Sequence, residues 1–203
     1  DCGLPFNPRR PVVDTPNAER LGWHLRHTHR PFANRYLQVR QDELVRPDGK
    51  RQTYSYVEID PVVVIVPVTV ERDVVLIRQF RYTIDDWIWE VPAGGSHDFE
   101  GDDLEILVRR ELREEIGGQA GEITWMGDFN PLIGKADTNF NIYLATEVKL
   151  GLASPEPGEL IEIHPVPIAE ALRMARGGQM YSGASAYALL RCEPELRRIA
   201  LKD

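Results

Sequence analysis

Glu111, Glu114 and Glu115 fall at spacings i, i+3 and i+4 within Arg110-Glu-Leu-Arg-Glu-Glu-Ile-Gly117. On a helix these positions neighbour one another on one face. Like charges stacked there repel, and a bound cation would remove the penalty. Hard divalent ions such as Mg²⁺ select carboxylate oxygens and share their shell with substrate phosphates. A solvated acidic face is the alternative, because glutamates are common on exposed helices. The flanks favour the metal. Pro92-Ala93-Gly94-Gly95 lies upstream, Asp102 and Asp103 lead in as N-cap candidates, and Gly117-Gly118 follows as a C-cap. The spacing predicts a helix over 104–116. Leu104, Val108, Leu112 and Ile116 would line its core side, about 100° from the carboxylates.

Two further groups carry chemistry. Arg78 and Arg81, in Arg78-Gln-Phe-Arg81-Tyr82, end a predicted strand and could grip a diphosphate with bidentate hydrogen bonds. The alternative is a pair of solvated arginines. Pro155-Glu-Pro-Gly-Glu159-Leu-Ile-Glu-Ile163 is an acidic loop broken by proline and glycine. A carboxylate there could take a proton from an attacking water, a role worth roughly 10²–10⁴-fold. The alternative is an ordinary surface loop. His24, His27 and His29 read as surface histidines, since their segment looks irregular and offers no partner ligand.

The segment around the glutamates resembles the Nudix box, Gly-x5-Glu-x7-Arg-Glu-U-x-Glu-Glu-x-Gly-U with U apolar. Arg110, Glu111, Leu112, Glu114, Glu115 and Gly117 match it one for one. Gly118 stands where an aliphatic residue is usual. The front half is two residues longer than the pattern, so either Glu100 or Asp102 takes the first glutamate's place. The resemblance implies a Mg²⁺ site, with Mn²⁺ as a possible substitute, built from Glu111, Glu115, Glu114 and the Ala93 carbonyl. Arg110 would hold the helix glutamates by ion pairing.

Within that family the chain is most similar to the ADP-ribose pyrophosphatases and other nucleoside diphosphate sugar hydrolases. This branch implies substrate contact by Arg81, with Arg78 as its neighbour, and a catalytic role for Glu159, with Glu156 as the fallback. It also implies an aromatic at Tyr54 that stacks on adenine, a part Trp23 could also play; packing is the competing role. The implied reaction is hydrolysis of a nucleotide sugar at its pyrophosphate bond, ADP-ribose first, giving AMP and ribose 5-phosphate. The alternatives are another nucleotide sugar such as GDP-mannose, or a non-catalytic nucleotide-binding module on the same fold. Ser55 and Ile59, and the loop 130–139, depart from the ADP-ribose pattern.

These residues need a scaffold. Alternation and turn chemistry predict strands over 35–45 and 52–59 around Arg46-Pro-Asp-Gly-Lys50, a buried strand over 62–70, and strands over 74–80, 87–91, 122–129, 140–147 and 160–163. Pro92-Ala-Gly-Gly95 reads as a turn. Further helices are expected over 168–176 and 185–192. The fold class is therefore α/β: a Nudix-type α/β/α sandwich with a mixed sheet, preceded by an N-terminal antiparallel hairpin. The expected organisation is an irregular arm over 1–33, a hairpin over 34–60 that the resemblance assigns to homodimerisation, and the hydrolase domain over 61–203.

The bulk properties agree. The 203 residues suffice for one substantial domain, and 42% hydrophobic with 28% charged residues reads as globular. A net charge of −8 argues against a nucleic-acid partner. No apolar run approaches the roughly 18–20 residues that span a bilayer, and no signal-peptide pattern opens the chain. Cys2 and Cys192 sit near opposite ends without metal-type spacing, which suits a reducing cytoplasm.

Overall fold

A computed structural model describes residues 16–201, apart from 100 and 102. It separates into two compact units.

The first unit holds residues up to 61 together with 132–139. After a short helix α1 (Pro16–Arg20), strands β1 (His24–Ala33), β2 (Gln38–Val45) and β3 (Arg51–Glu58) form an antiparallel meander. The two-residue β9 (Ala136–Asp137) adds in parallel to β3. The β2–β3 turn closes as its chemistry predicts, with Gly49 at φ 76° and the Arg46 amide donating to the Lys50 carbonyl at 2.9 Å. β1 corrects the expectation of an irregular arm for residues 24–33. Its residues are nearly all exposed and its pairing with β2 is interrupted by two register shifts. No apolar alternation results, so the backbone ladder alone marks it as a strand.

Charged side chains lie inside this small sheet. Arg40 is 4% exposed and Asp42 is 7% exposed. Arg40 Nε donates to Asp42 Oδ1 at 2.9 Å, and Asp42 Oδ1 also accepts from the Thr28 hydroxyl at 2.7 Å. Glu58 receives Arg30 through two hydrogen bonds, at 2.7 and 3.1 Å, and Arg40 at 3.5 Å.

The second unit carries β4 (Val62–Thr69), β5 (Asp73–Arg81), β6 (Asp86–Glu90), β7 (Ala93–Gly95), α2 (Leu104–Ile116), β8 (Glu122–Phe129), β10 (Phe140–Val148), β11 (Ile161–Pro167), α3 (Ile168–Arg176) and α4 (Gly183–Leu201). The sheet order is β11-β5-β4-β10-β8, with β6 on β5 and β7 on β4. β4 and β10 run parallel and the other pairs antiparallel, so the sheet is mixed. Strand β4 is β-branched and buried on both faces, as a central strand must be. Val63 and Ile65, with Val75 and Ile77 of β5, pack under Leu107, Val108, Leu112 and Ile116 of α2. Val64, Val66 and Leu76 face α3 and α4 through Leu172 and Leu189. The expected α/β/α layering follows from this division. Pro92-Ala-Gly-Gly95, expected as a turn, is instead a strand end: Ala93 and Gly94 pair with Val64 and Val63. Among the described residues, no helix is long and apolar enough to cross a membrane. Cys192 is buried as a free thiol, while Cys2 lies outside the described residues.

Candidate active site

Helix α2 begins where Asp103 accepts the Glu105 amide at 2.9 Å and ends at Gly117, whose φ of 63° turns the chain left-handed. Its buried residues are Leu104, Leu107, Val108, Glu111, Leu112, Glu115 and Ile116. Leu107, Glu111 and Glu115 are successive four-residue steps, so two carboxylates continue the apolar stripe. This corrects the expected separation between carboxylates and core face. Glu114 lies off the stripe, with its side chain 43% exposed.

β7 meets these carboxylates with its backbone. A β-carbon at Gly94 would coincide with the Glu111 carboxylate, so only glycine lets the two approach. One residue earlier, the Ala93 amide donates to Glu115 Oε2 at 3.2 Å. The Val91 amide, just upstream, donates to Ser185 Oγ of α4 at 3.1 Å, which ties the segment to the opposite layer.

The charges here are poorly compensated. Burial pushes the Glu111 carboxyl up to about 7; Arg110 opposes this, while Glu114 and Glu159 reinforce it. Burial also pushes Glu115 well above the usual range, and Glu111 and Glu159 add to the effect against the Ala93 amide and the Arg81 charge. Arg110 reaches Asp98 Oδ1 at 2.9 Å and Glu111 Oε1 at 3.1 Å, with its Nε 3.8 Å from Glu114 Oε2.

The loop before β11 supplies Glu159. The Ser154 amide donates to the Glu114 carbonyl at 2.9 Å, and the Phe80 amide donates to the Leu160 carbonyl at 3.1 Å. The loop is thus fastened to α2 at one end and to β5 at the other. Glu159 Oε2 accepts the Glu156 amide at 3.1 Å. Glu159 acts electrostatically on Glu111 and Glu115, whereas Glu156 is exposed.

Arg81 shares this face of the sheet. Its Nε lies 2.8 Å and one terminal nitrogen 2.6 Å from Glu90 Oε2. Arg78 does not join it. Residues three apart on a strand point to opposite faces, and Arg78 stands 3.9 Å from Glu162 with its guanidinium 5.9 Å from the Trp87 ring centre. A two-arginine grip from one face is therefore not formed. Tyr54 belongs to the first unit, where its hydroxyl donates to the Gly134 carbonyl at 3.5 Å and its ring meets Tyr56 edge-on. Glu100 and Asp102 lie outside the described residues. His27 and His29 sit on β1, the latter bonded to Gln41.

Glu90 is the residue the sequence reading missed. An acid closing the apolar run Trp87-Ile88-Trp89 was the available signal.

The donor set suits a hard divalent ion. Glu111 and Glu115 are buried, and Arg110 offsets only part of the charge, so both carboxyls are pushed up and a further positive group is favoured beside them. The described His, Cys, Asp and Glu side chains form no three-ligand cage by themselves. Mg²⁺ tolerates that, since it keeps several waters and borrows oxygens from substrate phosphates.

Comparisons with known proteins agree with this geometry. The NUDIX domain matches residues 59–183, and the nucleoside diphosphate sugar hydrolase N-terminal domain matches residues 23–57, the span of β1–β3. The ADP-ribose pyrophosphatase of Bacillus subtilis (strain 168) is 28% identical over 160 residues, covering 78% of this chain and 85% of that protein. That of Mycobacterium tuberculosis is 31% identical over 155 residues, covering 75% and 74%. The crystal structure of an ADP compounds hydrolase superposes with a TM-score of 0.76 at 18% identity, over 87% of this chain and 95% of that one. Box, fold and relatives converge: the chain belongs to the NUDIX domain family.

Proposed function

We propose that this chain is a Mg²⁺-dependent hydrolase of nucleoside diphosphate sugars, with ADP-ribose as leading substrate and AMP and ribose 5-phosphate as products. The observation that carries the reading is the pair Glu111 and Glu115, buried against the Gly94 backbone, with both carboxyls pushed up despite the Arg110 contact to Glu111. The relatives support the substrate class.

Glu111 and Glu115 would hold the ion, with Glu114 and the Ala93 carbonyl as further ligands. Bound there, the ion offsets charge developing on the bridging oxygen and lowers the pKa of an attacking water. Arg81 holds a phosphoryl oxygen of the diphosphate. Glu159 accepts the proton as water attacks phosphorus, and the P–O bond to the leaving phosphate breaks. Tyr54 stacks on the base, and the β1–β3 sheet is the homodimer contact. The reading places the protein in the cytoplasm.

The test is a panel of ADP-ribose, GDP-mannose and other nucleotide sugars with Mg²⁺ or Mn²⁺, products identified by mass. AMP and ribose 5-phosphate are expected from ADP-ribose, with no turnover in chelator. Tight binding without turnover of any member would instead make the chain a nucleotide-binding module. Faster cleavage of GDP-mannose would reassign the sugar.

A further inference from the structure

We infer that Glu90 is the positioning residue for Arg81, fixing one edge of its guanidinium so that the other edge faces the diphosphate. The inference rests on the proposed substrate contact of Arg81.

Arg81 pairs across the strands with Asp86, and Glu90 pairs with Ile77. Four residues of strand, about 13 Å, separate these two positions. Arg81 nevertheless bonds to Glu90, while the Asp86 carboxylate accepts the Trp87 amide. The arginine therefore runs back along the sheet instead of extending into solvent. The Arg81 side chain is 40% exposed, but that of Glu90 is only 10% exposed. A solvated arginine would lose rotamer freedom in this arrangement without need.

The bonding pattern is directional. Both Arg81 nitrogens that reach Glu90 do so on a single oxygen, Oε2. A guanidinium has five N–H groups in one plane. Holding the Nε edge leaves the outer edge, formed by the two terminal nitrogens, to present parallel donors. That edge matches a phosphate fork. Glu90 also lies three residues before Ala93, whose amide holds Glu115. The arginine and the metal-side carboxylate are thus set by one short stretch of backbone, itself pinned at Val91 by Ser185.

An ion pair kept for stability alone would give the same contact, so the test must separate the two. Steady-state kinetics with ADP-ribose and Mg²⁺ are measured for Glu90→Gln, Arg81→Lys and the double variant, with Arg81→Met/Glu90→Leu as an apolar replacement. Glu90→Gln keeps side-chain volume. It should raise KM about tenfold, with kcat changed far less, as expected when uniform binding is lost. The double variant should be no worse than the poorer single. The apolar pair should restore the melting temperature while leaving KM raised. Penalties that multiply in the double variant, wild-type kinetics in Glu90→Gln, or recovery of KM by the apolar pair would overturn the positioning role. Wild-type KM and kcat in Arg81→Lys would instead remove Arg81 from the substrate, and the inference would fall with that reading.

Discussion

Each unit of the molecule buries charge, and the two do so in opposite ways. In the first, Arg40, Arg30, Asp42 and Glu58 neutralise one another. Burial works against the Arg40 charge, yet the hydrogen bond to Asp42 and the neighbouring negative groups leave its pKa raised. In the second, Glu111 and Glu115 face further acids, and both carboxyls are pushed up. The first cluster is complete without any other molecule. The second keeps excess negative charge despite Arg110 and Arg81, the contrast expected between structural burial of charge and the proposed metal site.

The comparison breaks most visibly at Glu115. Glu115→Gln should lower kcat by about 10³-fold, the scale for losing one preorganised electrostatic contact. The metal-free variant should melt no lower than wild type, because an uncompensated charge has gone. Calorimetry without metal and turnover with Mg²⁺ measure both, and near-normal turnover would refute the metal assignment. Arg40→Met should do the reverse. Leaving Asp42 and Glu58 short of a partner should destabilise by about 3 kcal/mol, read by urea melts, with kcat of the folded enzyme retained.

Mg²⁺ should raise the stability of the wild type by about 2.7 kcal/mol at a hundredfold excess over its Kd, and by much less in Glu111→Gln. An equal shift in both would place the ion elsewhere. The remaining effect is in pH. Glu111 has a folded pKa of about 7 against an ordinary 4.5, so the native state binds more protons between these values. Stability of the metal-free protein should fall as pH rises from 4.5 through 7, at most about 1.4 kcal/mol per unit for this group. Glu111→Gln should flatten that slope. A slope of the opposite sign would contradict the burial of this carboxyl.

How much the sequence discloses varies with the kind of signal. Helix α2 was legible to its ends because Asp103 and Gly117 are local caps, and α3 because its apolar period is strong. α4 is longer than its pattern indicates: it runs on past Pro194 to Leu201, where proline argues for a stop. β1 was invisible because both faces are polar. Spacing singles out Glu111 and Glu115 as candidates, but their burial is not legible from a helix periodicity carried by apolar residues alone. Arg78 and Arg81 are neighbours in sequence, but strand alternation separates them. Glu90 stayed hidden because its partner lies nine positions away, across a hairpin.

Gly117 has a consequence beyond ending a helix. A methyl group there would sit 2.5 Å from the carbonyl of Gly151, at the root of the loop that carries Glu159. Two bare stretches of main chain touch at that seam, so the span between α2 and the loop carrying the proposed proton acceptor is set by contact of atoms every residue type shares. Side-chain drift elsewhere in the loop can accumulate without retuning that span, whereas a single carbon at the seam would wedge it open.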